Sequence, residues 1–327
     1  MVTSRSANHY SLLADIGGTN TRVALCEGTS LVADSVRRFR NAEYGSLEEV
    51  LAAYMASEGN VDCLGACVAA AGPVRDSVAT MTNLDWTIDS ETVAKATGAE
   101  TVSILNDLQA QGHALGHLEA DALTTILPGK AAGPNAAQLV VGVGTGFNAA
   151  PVWRTHAGRF VAPSECGHIT LPVRSEEDLA LSAFVEKAHG FPGVEDLLSG
   201  RGLERIYAFH ATENNSETRK DAASIMTSAT ARDDDVALRS VETFCRKLGD
   251  VIGDLALVHL PFGGIFLIGG VGRAMVPFMG EFGFADAFRD KGRFAEFQDT
   301  FAVTAISDDY AALIGCANHL HDRMNGN

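Results

Sequence analysis

The sequence predicts an α/β protein built as two similar halves facing across a cleft. Apolar strand-like runs alternate with helical spacing in both the first and the last parts of the chain. A strand–glycine turn–strand layout at residues 11–27 returns about 125 residues later, at 138–153. No Pro-, Ser- or Gly-rich linker divides the chain, and no low-complexity stretch interrupts it. With 327 residues, 46% of them hydrophobic, the chain is long enough to bury two real cores.

Residues 11–15 (SLLAD) and 21–27 (TRVALCE) read as strands around a GGTN turn, and 31–39 (LVADSVRRF) as a third strand of a meander. Ser46 opens a helix through a capping box with Glu49, and Leu47, Val50, Leu51 and Tyr54 recur at helical spacing. The run 63–71 (CLGACVAAA) is apolar throughout, as expected of a strand covered on both faces. Asp89 or Ser90 caps a short helix (ETVAKAT), and 101–107 (TVSILND) is a buried strand running into a helix over 108–118. Strands follow at 123–127, 138–144 and 147–153, then helices from Ser175 to residue 260. A glycine-framed strand at 263–272, a strand at 300–307 and a closing helix over 309–324 complete the pattern.

Composition narrows the function classes. Twenty-five basic residues against 41 acidic ones give a formal net charge of −16, which argues against nucleic acid or an anionic membrane as partner. No run approaches the ~18 apolar residues of a membrane span. The first ten residues lack the apolar core of a signal peptide, so the expected location is the cytoplasm. The six cysteines are scattered; only Cys63 and Cys67 are close, and no second Cys/His pair completes a zinc set. They are read as reduced thiols, mostly core.

Five constellations carry chemistry. Asp15 precedes Gly17, Gly18, Thr19 and Asn20 between two apolar strands. Paired glycines let backbone amides point into one concavity that suits phosphate oxygens, with Thr19 and Asn20 adding side-chain donors. An aspartate beside phosphates calls for a cation between them, so Asp15 is assigned to Mg²⁺ through water. The alternative is an ordinary hairpin turn. Gly144, Thr145 and Gly146 repeat the arrangement and suit the other end of a polyphosphate. Neither turn has the spacing of a P-loop or a dinucleotide fingerprint. Gly269 and Gly270, after the strand IFLI, either let a purine lie close to the backbone or serve packing. Asn106 and Asp107 stand where a strand gives way to a helix, the edge that faces ligand in α/β folds. Asp107 is either a helix N-cap or the base that phosphoryl transfer to a hydroxyl needs. Glu165 and His168 (ECGH), with Glu195, offer acceptors and an imidazole for the hydroxyls of a sugar; Glu195 alone equally fits a solvated helix position.

Taken in order, DIGGTNTRVALC, TMTNLDW, ILND, VGTG, ECGH, VEDLLSGRGL, GGIFLIGG and FRDKGRF resemble bacterial glucokinases of the hexokinase–actin superfamily, from about residue 11 to about 320. The resemblance implies two ribonuclease-H-like (actin-like ATPase) lobes around a cleft, a smaller one of 1–109 plus 308–327 and a larger one of 110–307. It implies ATP with Mg²⁺ as cofactors, a homodimer, and phosphorylation of D-glucose at its 6-hydroxyl. Asn106, Asp107, Glu165, His168 and Glu195 match the sugar-binding residues, with Asp107 as the base. Gly17 to Asn20 and Gly144 to Gly146 match the phosphate loops, and Gly269-Gly270 the adenosine region. The family pattern is EGGH and GTGLG where this chain has ECGH and GTGFN, so Phe147-Asn148 is expected to place bulk beside the phosphates. LPVRSEEDLA after ECGH, in place of the cysteine cluster of related sugar kinases and repressors, implies no structural zinc. Alternatives are a kinase for fructose or mannose, a non-catalytic sugar sensor on the same fold, and an actin-like filament former.

Overall fold

A computed structural model describes residues 9–81, 84–156, 158–213 and 219–326. The strands are β1 Tyr10–Ile16, β2 Asn20–Glu27, β3 Ser30–Leu31, β4 Arg37–Arg40, β5 Cys63–Ala70, β6 Val74–Arg75, β7 Val78–Thr80, β8 Thr87–Asp89, β9 Thr101–Asn106, β10 Leu123–Leu127, β11 Gln138–Val143, β12 Phe147–Thr155, β13 Gly158–Val161, β14 Ile265–Ile268 and β15 Val303–Ile306. The helices are α1 Leu47–Ser57, α2 Ser90–Thr97, α3 Asp107–Ala114, α4 Glu176–His189, α5 Val194–Leu197, α6 Gly200–Glu213, α7 Ala222–Ala231, α8 Asp235–His259, α9 Gly270–Met279, α10 Phe284–Arg289, α11 Ala295–Gln298 and α12 Ala311–Met324.

Contacts divide the chain into two compact units. The first gathers residues 1–119, 154–163 and 308–327, and the second 120–153 and 164–307. The division is wider on the first side than the expected 1–109 plus 308–327. The reason is hydrogen bonding around α3. Arg159 Nη1 donates to the Gly112 and His113 carbonyls (3.4 and 2.8 Å), and Gln109 Nε2 donates to the Val161 carbonyl (3.1 Å). The arginine adds a donor to carbonyls at the end of α3, and the glutamine ties α3 to β13.

In the first unit the sheet order is β3-β2-β1-β5-β9, with β4 also on β2. β1 and β2 form the antiparallel hairpin, while β5 and β9 run parallel to β1. The continuous apolar run of β5 is buried as expected: Ala66 to Ala70 are 0% exposed, because the sheet is covered on both faces. One face carries α1 and α2 with Val50, Leu51, Tyr54 and Val93; the other carries α3 and α12 with Leu313, Cys316 and Leu320. The expected third strand over 31–39 is broken. Ser35 turns inward at a short 3-10 turn, accepting from the Leu25 N–H (2.9 Å) and donating to the Val32 carbonyl (2.6 Å). The small β6-β7-β8 sheet has no counterpart in the sequence reading, and Thr82-Asn83 of TMTNLDW lie outside the described residues.

In the second unit the same plan recurs. β11 and β12 form the antiparallel hairpin, β14 runs parallel to β11, β15 runs parallel to β14, and β10 closes the far edge. A core of Val141, Phe147, Leu203, Phe244, Leu248, Leu267 and Phe301 lies between this sheet and α5, α6, α8 and α9. All six cysteines are free thiols and five are buried.

Candidate functional site

In the first unit, Ile16 pairs with Ala70 and Ala70 with Asn106, so β1, β5 and β9 reach the same sheet edge together. Two strand spacings separate the outer pair, which puts the Ile16 and Asn106 backbones roughly 10 Å apart. The 17–20 turn and the 106–107 junction therefore share one edge.

The turn is closed by the Gly17 N–H donating to the Asn20 carbonyl (3.0 Å), and Gly18 and Thr19 are exposed. Asn41, a residue the sequence reading did not single out, holds it from behind. Its backbone N–H donates to the Thr19 carbonyl (3.0 Å), its Nδ2 donates to the Gly17 carbonyl (2.7 Å), and its Oδ1 accepts from Thr21 Oγ1 (2.8 Å). Asn41 is 2% exposed, and its bond with Thr21 is buried. Asp15 lies opposite Arg22 in the hairpin, with Arg22 Nη1 at 3.3 Å from Asp15 Oδ2. Burial raises the Asp15 carboxyl above the usual carboxylate range, and the guanidinium pulls the other way. Arg22 is thus a cationic partner for Asp15 within the hairpin itself.

Asn106 rather than Asp107 is the N-cap of α3. Asn106 Oδ1 accepts from the Gln109 N–H (2.6 Å), and Gln109 Oε1 accepts from the Asn106 N–H (3.1 Å), a reciprocal capping box. Asp107 is the first helical residue; its Oδ1 accepts from the Leu108 N–H (2.8 Å) and its side chain is exposed. The capping alternative for Asp107 is overturned, because its neighbour already performs that task.

In the second unit the turn Gly144-Thr145-Gly146 joins β11 to β12. Gly142 pairs with Ile268, so Gly144 and Gly269-Gly270 emerge side by side at one sheet edge. Gly269 has φ 94°, and a Cβ there would lie 2.3 Å from the Val143 carbonyl oxygen, so only glycine fits. The Gly200 N–H at the start of α6 donates to the Gly144 carbonyl (2.9 Å). Added Cβ atoms at Gly144 and Gly270 would meet nothing within 4 Å. Backbone at the hairpin turn and at the first turn of α9 is therefore approachable, an arrangement suited to anions.

Glu195 reaches this turn from α5: its Oε2 accepts from the Phe147 N–H (3.0 Å), and a Cβ on Gly146 would stand 2.4 Å from that oxygen. Residues 165–168 are tied to the same place. The Val194 N–H donates to the Ile169 carbonyl (3.0 Å), Thr170 bridges Gly193, and a Cβ on Gly167 would fall 2.0 Å from the Phe147 carbonyl oxygen. Glu165 and His168 are exposed and Glu195 is half-buried. The second unit thus brings together Gly146, Glu165, His168 and Glu195.

The bulk expected at Phe147 is not beside the turn: the ring is 2% exposed and belongs to the hydrophobic core. Strand alternation then puts Asn148 on the other face, against residues 164–166. A cavity of about 420 Å³, lined by Lys130–Ala136, Phe262 and Thr300, opens near the start of β11, at the opposite end of that strand from Gly144. Among the described residues, no three His, Cys, Asp or Glu side chains cluster as a metal site, and no helix is long and apolar enough to cross a membrane.

A family model described as Glucokinase matches residues 12–323. A glucokinase of Chromohalobacter salexigens is 32% identical over 312 residues, covering 95% of this chain and 98% of that one. The crystal structure of a glucokinase from an Antarctic psychrotroph is similar with a TM-score of 0.84 at 31% identity, over 96% of this chain and 99% of that chain. A ROK family glucokinase from Streptomyces griseus, in complex with glucose and AMPPNP, gives a TM-score of 0.62 over 95% of this chain and 98% of that chain. At 19% identity it bears on the fold alone.

Proposed function

The chain belongs to the glucokinase family and is an enzyme that phosphorylates glucose with ATP, and we propose that Asp107 is its general base. The observation that carries this is the capping box of Asn106 and Gln109, which leaves the exposed Asp107 carboxylate at the sheet edge that also bears the 17–20 turn. In this reading Asp107 takes the 6-hydroxyl proton as that oxygen attacks the γ-phosphorus and ADP departs. Asn106, Glu165, His168 and Glu195 bind the remaining hydroxyls, whose fans of donors and acceptors match carboxylates and an imidazole. The turns Gly17 to Asn20 and Gly144 to Gly146, each closed by its own Gly17 or Gly144 N–H, hold the phosphates with their remaining donors, and Gly269-Gly270 lie along the adenosine.

Asp15 fits Mg²⁺ held through water. Burial works against its charge and Arg22 only partly offsets this, so a divalent cation acts in the same sense as the guanidinium. Bound with ATP, Mg²⁺ supplies charge neutralisation at the β,γ-phosphates. We also infer a homodimer working in the cytoplasm at the entry of glucose into glycolysis, a reading that rests on the resemblance; sedimentation at working concentration tests the second copy.

Asp107→Asn tests the base. The expected outcome is a kcat lower by about 10²–10⁴-fold, with glucose binding measured calorimetrically within a few fold of the parent. Unchanged kcat would remove Asp107 from the mechanism. A panel of glucose, fructose and mannose, followed by coupled ADP detection, should give its highest kcat/KM with glucose.

A further inference from the structure

We propose that Asn148 is a positioning residue, aiming the Glu165 carboxylate at the sugar and doing so together with Cys166. The inference rests on the reading of Glu165 as a sugar ligand and assigns what holds that ligand in place.

Asn148 is the second residue of β12, between Phe147 in the core and the paired backbone of Ala149. Its side chain meets three consecutive residues of the sugar-binding loop. Oδ1 accepts from the Ala149 N–H (2.8 Å), the Cys166 N–H (3.1 Å) and Ser164 Oγ (3.2 Å), and the Cys166 thiol at 3.5 Å is a further, weaker donor. Nδ2 donates to the Ser164 carbonyl and to Glu165 Oε2, the latter at 3.4 Å. Backbone N–H groups can only donate, so the oxygen must face Ala149 and Cys166, and the amide cannot be flipped. The NH₂ end is then committed to the Ser164 carbonyl and the Glu165 carboxylate.

Glu165 needs such a partner. It sits at φ −130°, ψ 47°, outside the helical and extended regions, before the short 3-10 turn Cys166–His168, and its side chain is exposed. An unrestrained glutamate gives up rotamer freedom when it binds a ligand. A donor that fixes the carboxylate beforehand lowers that cost and shows in sugar affinity rather than in the chemical step. Burial pushes the Cys166 thiol up from its usual range, so it stays protonated and keeps its weak donor toward Asn148 Oδ1. The two positions where this chain departs from the glycines of the family pattern are therefore in contact, and they form one device.

The test is steady-state kinetics of the full chain with Asn148→Ala, Asn148→Asp, Glu165→Gln and the Asn148→Ala/Glu165→Gln pair. Asn148→Ala should raise the glucose KM about ten-fold, with kcat, the ATP KM and Tm close to the parent. Asn148→Asp keeps the acceptor for Ala149 and Cys166 but sets a second carboxylate against Glu165. Its glucose KM should therefore rise more at high pH than at low pH, a dependence that mere loosening of the loop does not produce. In the Glu165→Gln background, Asn148→Ala should add little. If Glu165→Gln raises the glucose KM and Asn148→Ala does not, the positioning role is overturned and the sugar-ligand reading stands. If Glu165→Gln leaves that KM unchanged, both fall. A loss of kcat, ATP affinity and Tm together in Asn148→Ala, with Asn148→Asp indifferent to pH, overturns positioning in favour of plain folding support.

Discussion

The two units close hairpins of one design, β1–β2 and β11–β12, but brace the turns with different chemistry. Behind Gly17 to Asn20 stands Asn41, a buried amide that uses donors and acceptor on the turn and touches none of the residues assigned to the sugar. Behind Gly144 to Gly146 stands Glu195, a carboxylate that accepts from the Phe147 N–H and is itself assigned to the sugar. The first turn is thus braced without any residue proposed to bind sugar. The second is mechanically linked to residues proposed as hexose ligands, through Glu195 and through Gly167 pressed on the Phe147 carbonyl. A shared layout does not give the halves shared roles: what matters is the side chain that each surrounding loop delivers to the turn.

The largest effect expected from this difference is a double one. Glu195→Ala should raise the glucose KM and the ATP KM together, each by about ten-fold or more, because one carboxylate serves both ligands and a hydrogen bond to a charged group is worth roughly 1.5–3 kcal/mol. Asn41→Ala should raise only the ATP KM and lower Tm, since it strips both side-chain bonds from a buried site and leaves the turn only the backbone bond to Thr19. Kinetics with each substrate varied in turn separate the cases. A Glu195→Ala enzyme with normal ATP affinity would break the link claimed for the second unit.

A smaller effect sharpens the same point within one turn. Gly146→Ala drives a Cβ to 2.4 Å from Glu195 Oε2, so the carboxylate must swing away and both KM values should rise, less than in Glu195→Ala. Gly144→Ala meets nothing within 4 Å, so Tm should stay put while the ATP KM rises several-fold from crowding against phosphate. If Gly144→Ala leaves ATP kinetics untouched, phosphate does not approach that backbone.

Much of this was legible beforehand. Both glycine turns and the strand end at Asn106-Asp107 follow from local pattern, because apolar runs, paired glycines and capping residues act over a few positions. Glu195, about 30 residues beyond ECGH, is joined to it by residue type and the resemblance, not by local pattern. Asn41 was not legible: a lone asparagine in a polar loop carries no periodic signal, and its partners lie 20 and 24 residues away. Arg22 was overlooked although the β1–β2 register places it across from Asp15. Phe147-Asn148 was misjudged because bulk was counted without direction; strand alternation sends the ring into the core and the amide to the sugar loop. The break at Ser35 escaped notice for the reverse reason, since a serine amid apolar residues still reads as strand until its inward hydrogen bonds are known.

The mildest contrast concerns acid. The first unit packs two imidazoles together, the buried His113 on α3 and the half-buried His319 on α12, with Nε2 and Nδ1 3.2 Å apart. Burial first, then His319 and Arg159, push His113 down to about 3; burial and Arg323, against Asp322, bring His319 to about 4. The second unit instead buries Lys247 between Asp178 and Asp250, both at 2.7 Å. Burial alone would raise Asp178, but hydrogen bonds from Lys247 and the Arg174 N–H hold it below the usual 3.8. The histidines have folded pKa values below 6.5, so the unfolded chain binds more protons as pH drops; their contribution is complete above 6.5 and declines from there toward 4. The Asp178 contribution is complete above 3.8 and declines only below it. Between about pH 6.5 and 4, therefore, hydrogen-exchange protection factors, corrected for the intrinsic rate at each pH, should fall in α3 and α12 while α4 and the part of α8 around Lys247 keep theirs. His113→Gln with His319→Gln should flatten that response in the first unit, and an equal fall in both units of the parent would remove the contrast.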